Sequence, residues 1–254
     1  MKVVIYTYFS SPSSDYNLAF FVKKELRLRD DMDYIVVING FFSIRLPTLD
    51  NLTVLRRPNS GFDFGGHAHA LQHLEKMKKK YDYYFFMNSG VIGPIVRNPE
   101  PHWSTLFTQK ITNRVKLVGT TIVCLPPHDA GGYGPKVEGF FFVVDAVGLD
   151  VLTRQKTIFC QHPDKYSAIV HGEYGLSNCI LKHGYSLDCM LPPYQNLDWT
   201  DPKNYNLNNN LHPSRKNSFY NQSIDPYDVI FHKWYWHGLE TVNFDVVKDY
   251  VSKN

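Results

Sequence analysis

The chain has 254 residues, 43% of them hydrophobic and 20% charged, enough apolar material for one large α/β domain or two small ones. A net charge of +3 gives no basis for nucleic-acid binding, and the lysine-rich run at residues 76–80 reads as a solvated helix end. No stretch reaches the roughly 18 apolar residues that span a bilayer. The opening apolar run is too short for a secretory signal. Cys124, Cys160, Cys179 and Cys189 form no CxxC pair, so reduced, mostly buried thiols in a cytoplasmic protein are expected rather than a cysteine-based zinc site.

Residues 3–8 are continuously apolar and are expected to be a buried strand. Ser13, Ser14 and Asp15 then cap an expected helix running to about Arg29, with Leu18, Phe21, Val22 and Leu26 on one face. A second strand is expected at 34–39, stopped by Asn39 and Gly40, and a short third at 52–56. A glycine-rich turn follows, then a helix over about 65–80 and an apolar strand at 83–87. Apolar strands alternating with amphipathic helices predict a mostly parallel sheet covered on both faces. Such sheets bind ligands beyond the carboxyl ends of their strands. That rule selects Thr7, Tyr8, Phe9 and Ser10, then Asn39 and Gly40, then Asn59, Ser60, Gly61, Phe62 and Asp63, then Asn88, Ser89 and Gly90.

The pattern changes near residue 95. A strand at 117–123 leads into a Pro/Gly-rich loop at 126–135. An apolar strand is expected at 138–144, a helix from 146 to about 154, and another over 173–183. Residues 192–226 are rich in Asn, Pro and Tyr and lack periodicity. They still carry Tyr194, Leu197, Trp199 and Phe219, so an irregular wrap over the core is expected. No internal repeat or domain boundary is evident, and a single domain over 1–254 is expected.

Glycines 61, 65 and 66 let backbone approach a ligand and turn N–H groups toward anionic oxygens at a helix start. The spacing is not GxGxxG, so no dinucleotide fingerprint is read. Asp63 is either a ligand to a ribose or base N–H, or a helix-capping residue. Glu173, taken alone, reads as a carboxylate stabilised at a helix start. Asp129 lies in the Pro/Gly-rich loop, and Glu138 precedes an apolar strand and reads as its solvent end. Near the C-terminus, His232 and Lys233 lie in an aromatic segment and are either site residues or part of its packing.

Three stretches occur in order: Arg57-Pro58-Asn59-Ser60-Gly61-Phe62-Asp63, Asn88-Ser89-Gly90 with Gly93-Pro94, and Gly172-Glu173-Tyr174-Gly175 leading to Gly184-Tyr185. Together they resemble the GT-A fold nucleotide-sugar glycosyltransferases, in particular the large inverting families and the rhamnan-synthesis protein F type. The resemblance covers roughly residues 1–190. It implies a Rossmann-like GT-A domain with a donor half over about 1–95 and an acceptor half over about 96–254. A hexosyl or rhamnosyl group would pass from a UDP- or dTDP-type donor to a carbohydrate or glycan acceptor, with inversion, in polysaccharide biosynthesis. Glu173 would be the base, with Asp129 and Glu138 as reserve candidates for that role, and the strand-end residues, Arg57, His232 and Lys233 would hold the nucleotide sugar.

The family's Asp-x-Asp signature, which holds Mn2+ or Mg2+ on the diphosphate, is replaced here by Asn88-Ser89-Gly90. Three readings follow: a weak metal at Asn88, a substitute set drawing on Asp63 and His232, or a metal-independent enzyme. Tyr174 stands where an Asp usually neighbours the base. A non-catalytic sugar- or nucleotide-binding module is the rival reading. A nucleotidyltransferase is disfavoured because residues 9–14 hold no glycine and no basic residue.

Overall fold

The computed structural model describes residues 1–125, 134–235, 247–248 and 251–252; the candidate Asp129 lies outside these residues. Strands β1 (Lys2–Phe9), β2 (Met32–Asn39), β3 (Leu52–Arg57) and β4 (Tyr83–Asn88) all run parallel. Beyond β4, the sheet continues through β8 (Phe141–Asp145), β5 (Val115–Gly119) and β9 (Ser186–Cys189). The order is β3-β2-β1-β4-β8-β5-β9, and β8 alone runs against the rest. This is a mostly parallel α/β sheet, as the sequence predicts.

Successive side chains of β1 enter opposite cores, because strand side chains alternate. Val3 and Ile5 join Phe64, Ala70 and Leu74 of α2 (Phe62–Lys76), Leu152 of α4 (Ala146–Arg154) and Leu176 of α6 (Tyr174–Lys182). Val4, Tyr6 and Tyr8 join Leu18 and Phe21 of α1 (Pro12–Lys24), and Trp103 and Phe107 of α3 (Trp103–Thr108). Both faces are therefore covered by helices. The expected wrap is present: Tyr194, Trp199 and Ile224 pack on one face with Leu197 and Phe219 against them, and just beyond the wrap Ile230 and Phe231 pack on the other.

Several boundaries differ from expectation. Helix α1 is capped by Ser11, whose side chain accepts from Ser14 N, with Pro12 in its first turn. It stops at Lys24, because Glu25 leaves the helical region and buries its carboxylate against Tyr34 and His102. Helix α2 starts at Phe62, three residues early, because Gly61 adopts φ 70 as its cap. It ends at Lys76, so most of the lysine run follows it, with Lys78 at φ 54. The expected strand at 117–123 is broken. Its last residues form β6 (Ile122–Val123), which pairs with β7 (Lys136–Val137) in a separate ribbon. Helix α3, strand β9 and the helical turns before α6 were not expected.

The wrap's Asn-rich composition has a backbone cause. Asn196, Asn208, Asn209, Asn210, Asn217 and Asn221 all have positive φ. Asn tolerates the left-handed region better than other L residues with a side chain. Asn208 is also buried, donating to Leu211 O at 3.2 Å and Ser218 O at 2.7 Å and accepting from Tyr220 N at 2.8 Å.

Candidate active site

A cleft of about 730 Å3 opens at the carboxyl ends of the four parallel strands. Thr7, Tyr8 and Phe9 end β1, Asn39 ends β2, residues 59–63 follow β3, and Asn88 and Ser89 end β4; all line it. The floor is braced by hydrogen bonds. Thr7 Oγ1 donates to Met87 O at 3.3 Å, and Phe9 N to Ser89 Oγ at 3.3 Å. Arg57 Nη1 donates to Asn39 Oδ1 at 2.7 Å, and Nη2 to Ser60 Oγ at 3.2 Å. Arg57 therefore orients Asn39 and the turn instead of lining the cleft. A Cβ on Gly61 would lie 2.6 Å from Gln161 Cα, so glycine there lets the 161–163 segment close the cleft's far wall. On that wall, burial pushes His162 below the ordinary imidazole range, and its Nε2 lies 3.1 Å from Ile158 O.

A second, larger cleft of about 930 Å3 shares Phe62, Asp63, Asn88, Gly90 and Lys233 with the first. Its wall is a buried ion network. Lys136 Nζ lies 2.6 Å from Glu173 Oε2 and 3.3 Å from Glu138 Oε2, and His212 Nδ1 lies 2.9 Å from Glu138 Oε1. Lys136 and Glu138 are 4% and 3% exposed, which isolated charges would not survive. Burial works against the charge on Lys136, but Glu138 and Glu173 outweigh it and hold its pKa above that of ordinary lysine. Burial likewise works against Glu138, and Lys136 and His212 hold it below the usual carboxylate range. Both are therefore charged at neutral pH. Glu138 is not the solvent end of a strand: β8 starts at Phe141, and Glu138 precedes the turn at Gly139.

Glu173 does not open a helix. The chain is already helical from α5 (Lys165–Ser167) through a π-helical turn, Ala168–Glu173, and α6 follows without a break. Such turns reset the side-chain register. A Cβ on Gly139 would lie 2.8 Å from Glu173 Cγ, so glycine there gives the carboxylate room to face the cleft. The Glu173 side chain keeps 23% exposure.

Of the metal candidates, Asp63 and Asn88 meet, and His232 does not join them at either cleft. Asn88 Nδ2 donates to Asp63 Oδ2, and Asn88 Oδ1 accepts from Gly90 N at 2.8 Å. His232 is 1% exposed, lines neither cleft and forms a two-bond bridge with Ile92. Burial holds it at about 4. Among the described residues no group of three or more His, Cys, Asp or Glu could hold a metal ion. Lys233, the next residue, lines both clefts. Its neighbour Trp234 donates Nε1–H to Asn17 Oδ1 at 2.7 Å, and Asn17 donates to Ser89 O at 2.9 Å, tying this segment to the tip of β4.

Sequence reasoning missed Lys136, His212 and the 161–163 wall, and it reached Phe62 only as part of the turn at 59–63. The spacing of Lys136 and Glu138, two apart on an extended segment, marks a shared face. Nothing local points to His212, 74 residues from its partner. Among the described residues no helix is long and apolar enough to cross a membrane, and all four cysteines are free.

No family model matches the chain, and no curated protein matches it. Among solved structures, a mannosyltransferase from Pyrobaculum calidifontis, determined with GDP-Man and Mn2+, is similar at TM-score 0.44 and 13% identity. The match covers 74% of this chain and 53% of that one, so this chain spans about half its length. A nucleoside-diphosphate-sugar pyrophosphorylase from Vibrio cholerae is similar at TM-score 0.41 and 9% identity, over 74% of this chain and 91% of that one. Likeness this loose does not carry chemistry over.

Proposed function

We propose that this chain is a GT-A type glycosyltransferase that moves a sugar from a nucleoside-diphosphate donor to a hydroxyl of a carbohydrate or glycan, with inversion. The observation that carries this reading is the junction of two clefts, one walled by strand ends and the other by a carboxylate pair, Glu138 buried and Glu173 half-buried, held by Lys136. The smaller cleft suits the nucleotide, with Asn39, Asn59 and strand-end backbone for the base and ribose. The larger cleft suits the acceptor.

In this reading Glu173 is the general base. Lys136 holds its Oε2, and among the described residues no hydrogen bond is made to Oε1. Oε1 takes the acceptor hydroxyl's proton as that oxygen attacks the anomeric carbon. The new C–O bond forms as the bond to the diphosphate breaks, and the nucleoside diphosphate leaves with the electron pair. Glu138 and Lys136 are positioning residues. Lys233, common to both clefts, meets the leaving diphosphate. No step is assigned to a metal, because the described residues do not supply a ligand set.

Calorimetric titration with UDP, GDP and dTDP, each with Mn2+ and with EDTA, tests the reading. At least one nucleotide is expected to bind, with an affinity that EDTA changes by no more than about twofold. Failure of all three to bind contradicts the donor cleft. Binding only with Mn2+ contradicts the role given to Lys233. Binding without turnover of any nucleotide sugar favours the non-catalytic module.

A further inference from the structure

We infer that Phe62 determines sugar specificity: its ring is the platform on which the apolar face of the transferred sugar rests. This rests on the donor reading above. Phe62 has φ 56, in the left-handed region that bulky L residues avoid because Cβ approaches carbonyl oxygen. The turn itself does not require a phenylalanine, since glycine or asparagine holds such a backbone with less strain, and Gly61 at φ 70 already does so next door.

The core does not require it either. Phe62 is 40% exposed, and among the described residues its ring makes no aromatic or cation contact. Its neighbour Phe64, by contrast, is 2% exposed and packs on Phe142 and His67. A strained, exposed aromatic side chain at the mouth of a cleft is the kind of outlier that function retains.

Position decides what the ring meets. Tyr8, Phe9, Asn39 and Asn59 line only the smaller cleft, whereas Lys136 and Glu173 line only the larger. Phe62 lines both, beside Asp63 and Lys233. Along a donor lying from the strand ends toward Glu173, the junction holds neither the base nor the acceptor. It holds the sugar being transferred. A pyranose presents one face of C–H groups, and the negative face of an aromatic ring attracts them. A sugar with an axial hydroxyl on that face cannot lie flat on the ring. Phe62 therefore selects by the orientation of hydroxyls, with little preference among bases.

The test compares the parent protein with Phe62→Gly, which suits the backbone and removes the ring, and Phe62→Trp, which keeps an aromatic face. Probes are UDP, GDP and dTDP, with UDP-glucose, UDP-galactose, GDP-mannose and dTDP-rhamnose. Phe62→Gly is expected to melt no lower than the parent and to bind the bare nucleotides within about twofold. Its affinity for the preferred nucleotide sugar is expected to fall about tenfold, with Phe62→Trp retaining most of it. Unchanged sugar affinity in Phe62→Gly overturns the inference and leaves the donor reading standing. A melting midpoint several degrees lower shows a packing residue and overturns it too. If no nucleotide binds the parent, the donor reading falls and the inference falls with it.

Discussion

The smaller cleft draws most of its wall from the ends of consecutive strands within the first 90 residues, whereas the larger cleft is assembled from across the chain. In the smaller cleft, side chains are fixed by backbone that the sheet ladder already holds, as with Thr7 on Met87 O and Phe9 N on Ser89. In the larger cleft, Lys136, Glu138, Glu173 and His212 fix one another, and His212 comes from the irregular wrap. A ladder tolerates the loss of one side chain. A buried ion network does not, because each member left alone is an uncompensated charge.

The sharpest way to break the comparison is Lys136→Met. It leaves Glu138 and Glu173 without their shared cation and is expected to cost about 3–5 kcal/mol in urea unfolding. Bare-nucleotide affinity, which belongs to the smaller cleft, is expected to stay within about twofold. A cost below about 1 kcal/mol would mean that the network is solvated in practice.

Asn208→Ala tests whether the wrap holds the larger cleft. It removes three hydrogen bonds of a buried side chain and puts alanine at φ 54, for an expected loss of about 2–3 kcal/mol. Asn208→Gly should recover only the backbone part. Equal losses for the two variants would show that the left-handed backbone adds nothing.

The smallest effect, taken per pH unit, is a slope with pH. His67 lies fully buried against Phe64, Phe86 and Phe142, and burial lowers its pKa to about 3. The unfolded chain takes up this proton near the ordinary value of 6.5. Its contribution is therefore complete above pH 6.5 and declines as pH falls toward 3, by about 1.4 kcal/mol per unit. His232, held at about 4, acts in the same direction. Glu138 adds its own loss only below its ordinary value of 4.5, as the carboxylate protonates. Urea midpoints between pH 6.5 and 4 should thus fall less steeply in His67→Phe than in the parent; parallel slopes would mean that His67 is charged in the fold.

How much could be read from the sequence follows the same division. Strands β1 to β4 and the residues at their ends were legible because apolar runs closed by Asn39-Gly40 or by the 59–66 turn are local signals. The end of α1 was not, since Glu25 leaves the helix to meet Tyr34 and His102, 9 and 77 residues away. The break between β5 and β6 escaped notice because Val118 and Ile122 are equally apolar, while β6 pairs with a distant β7. In the wrap, the run Asn208-Asn209-Asn210 was a readable sign of left-handed backbone. The pairing of His212 with Glu138 left no trace in either segment, because it is made only when the wrap closes over the sheet.

The central claim is that Glu173 serves the chemistry of the larger cleft and not the binding of the smaller. The direct measurement is nucleoside-diphosphate release by Glu173→Gln, with the preferred nucleotide sugar and glycan acceptor, beside its calorimetric affinity for the same nucleotide. The account predicts turnover lower by about 10²–10⁴-fold with nucleotide affinity within about twofold of the parent. Turnover that survives the substitution would contradict it.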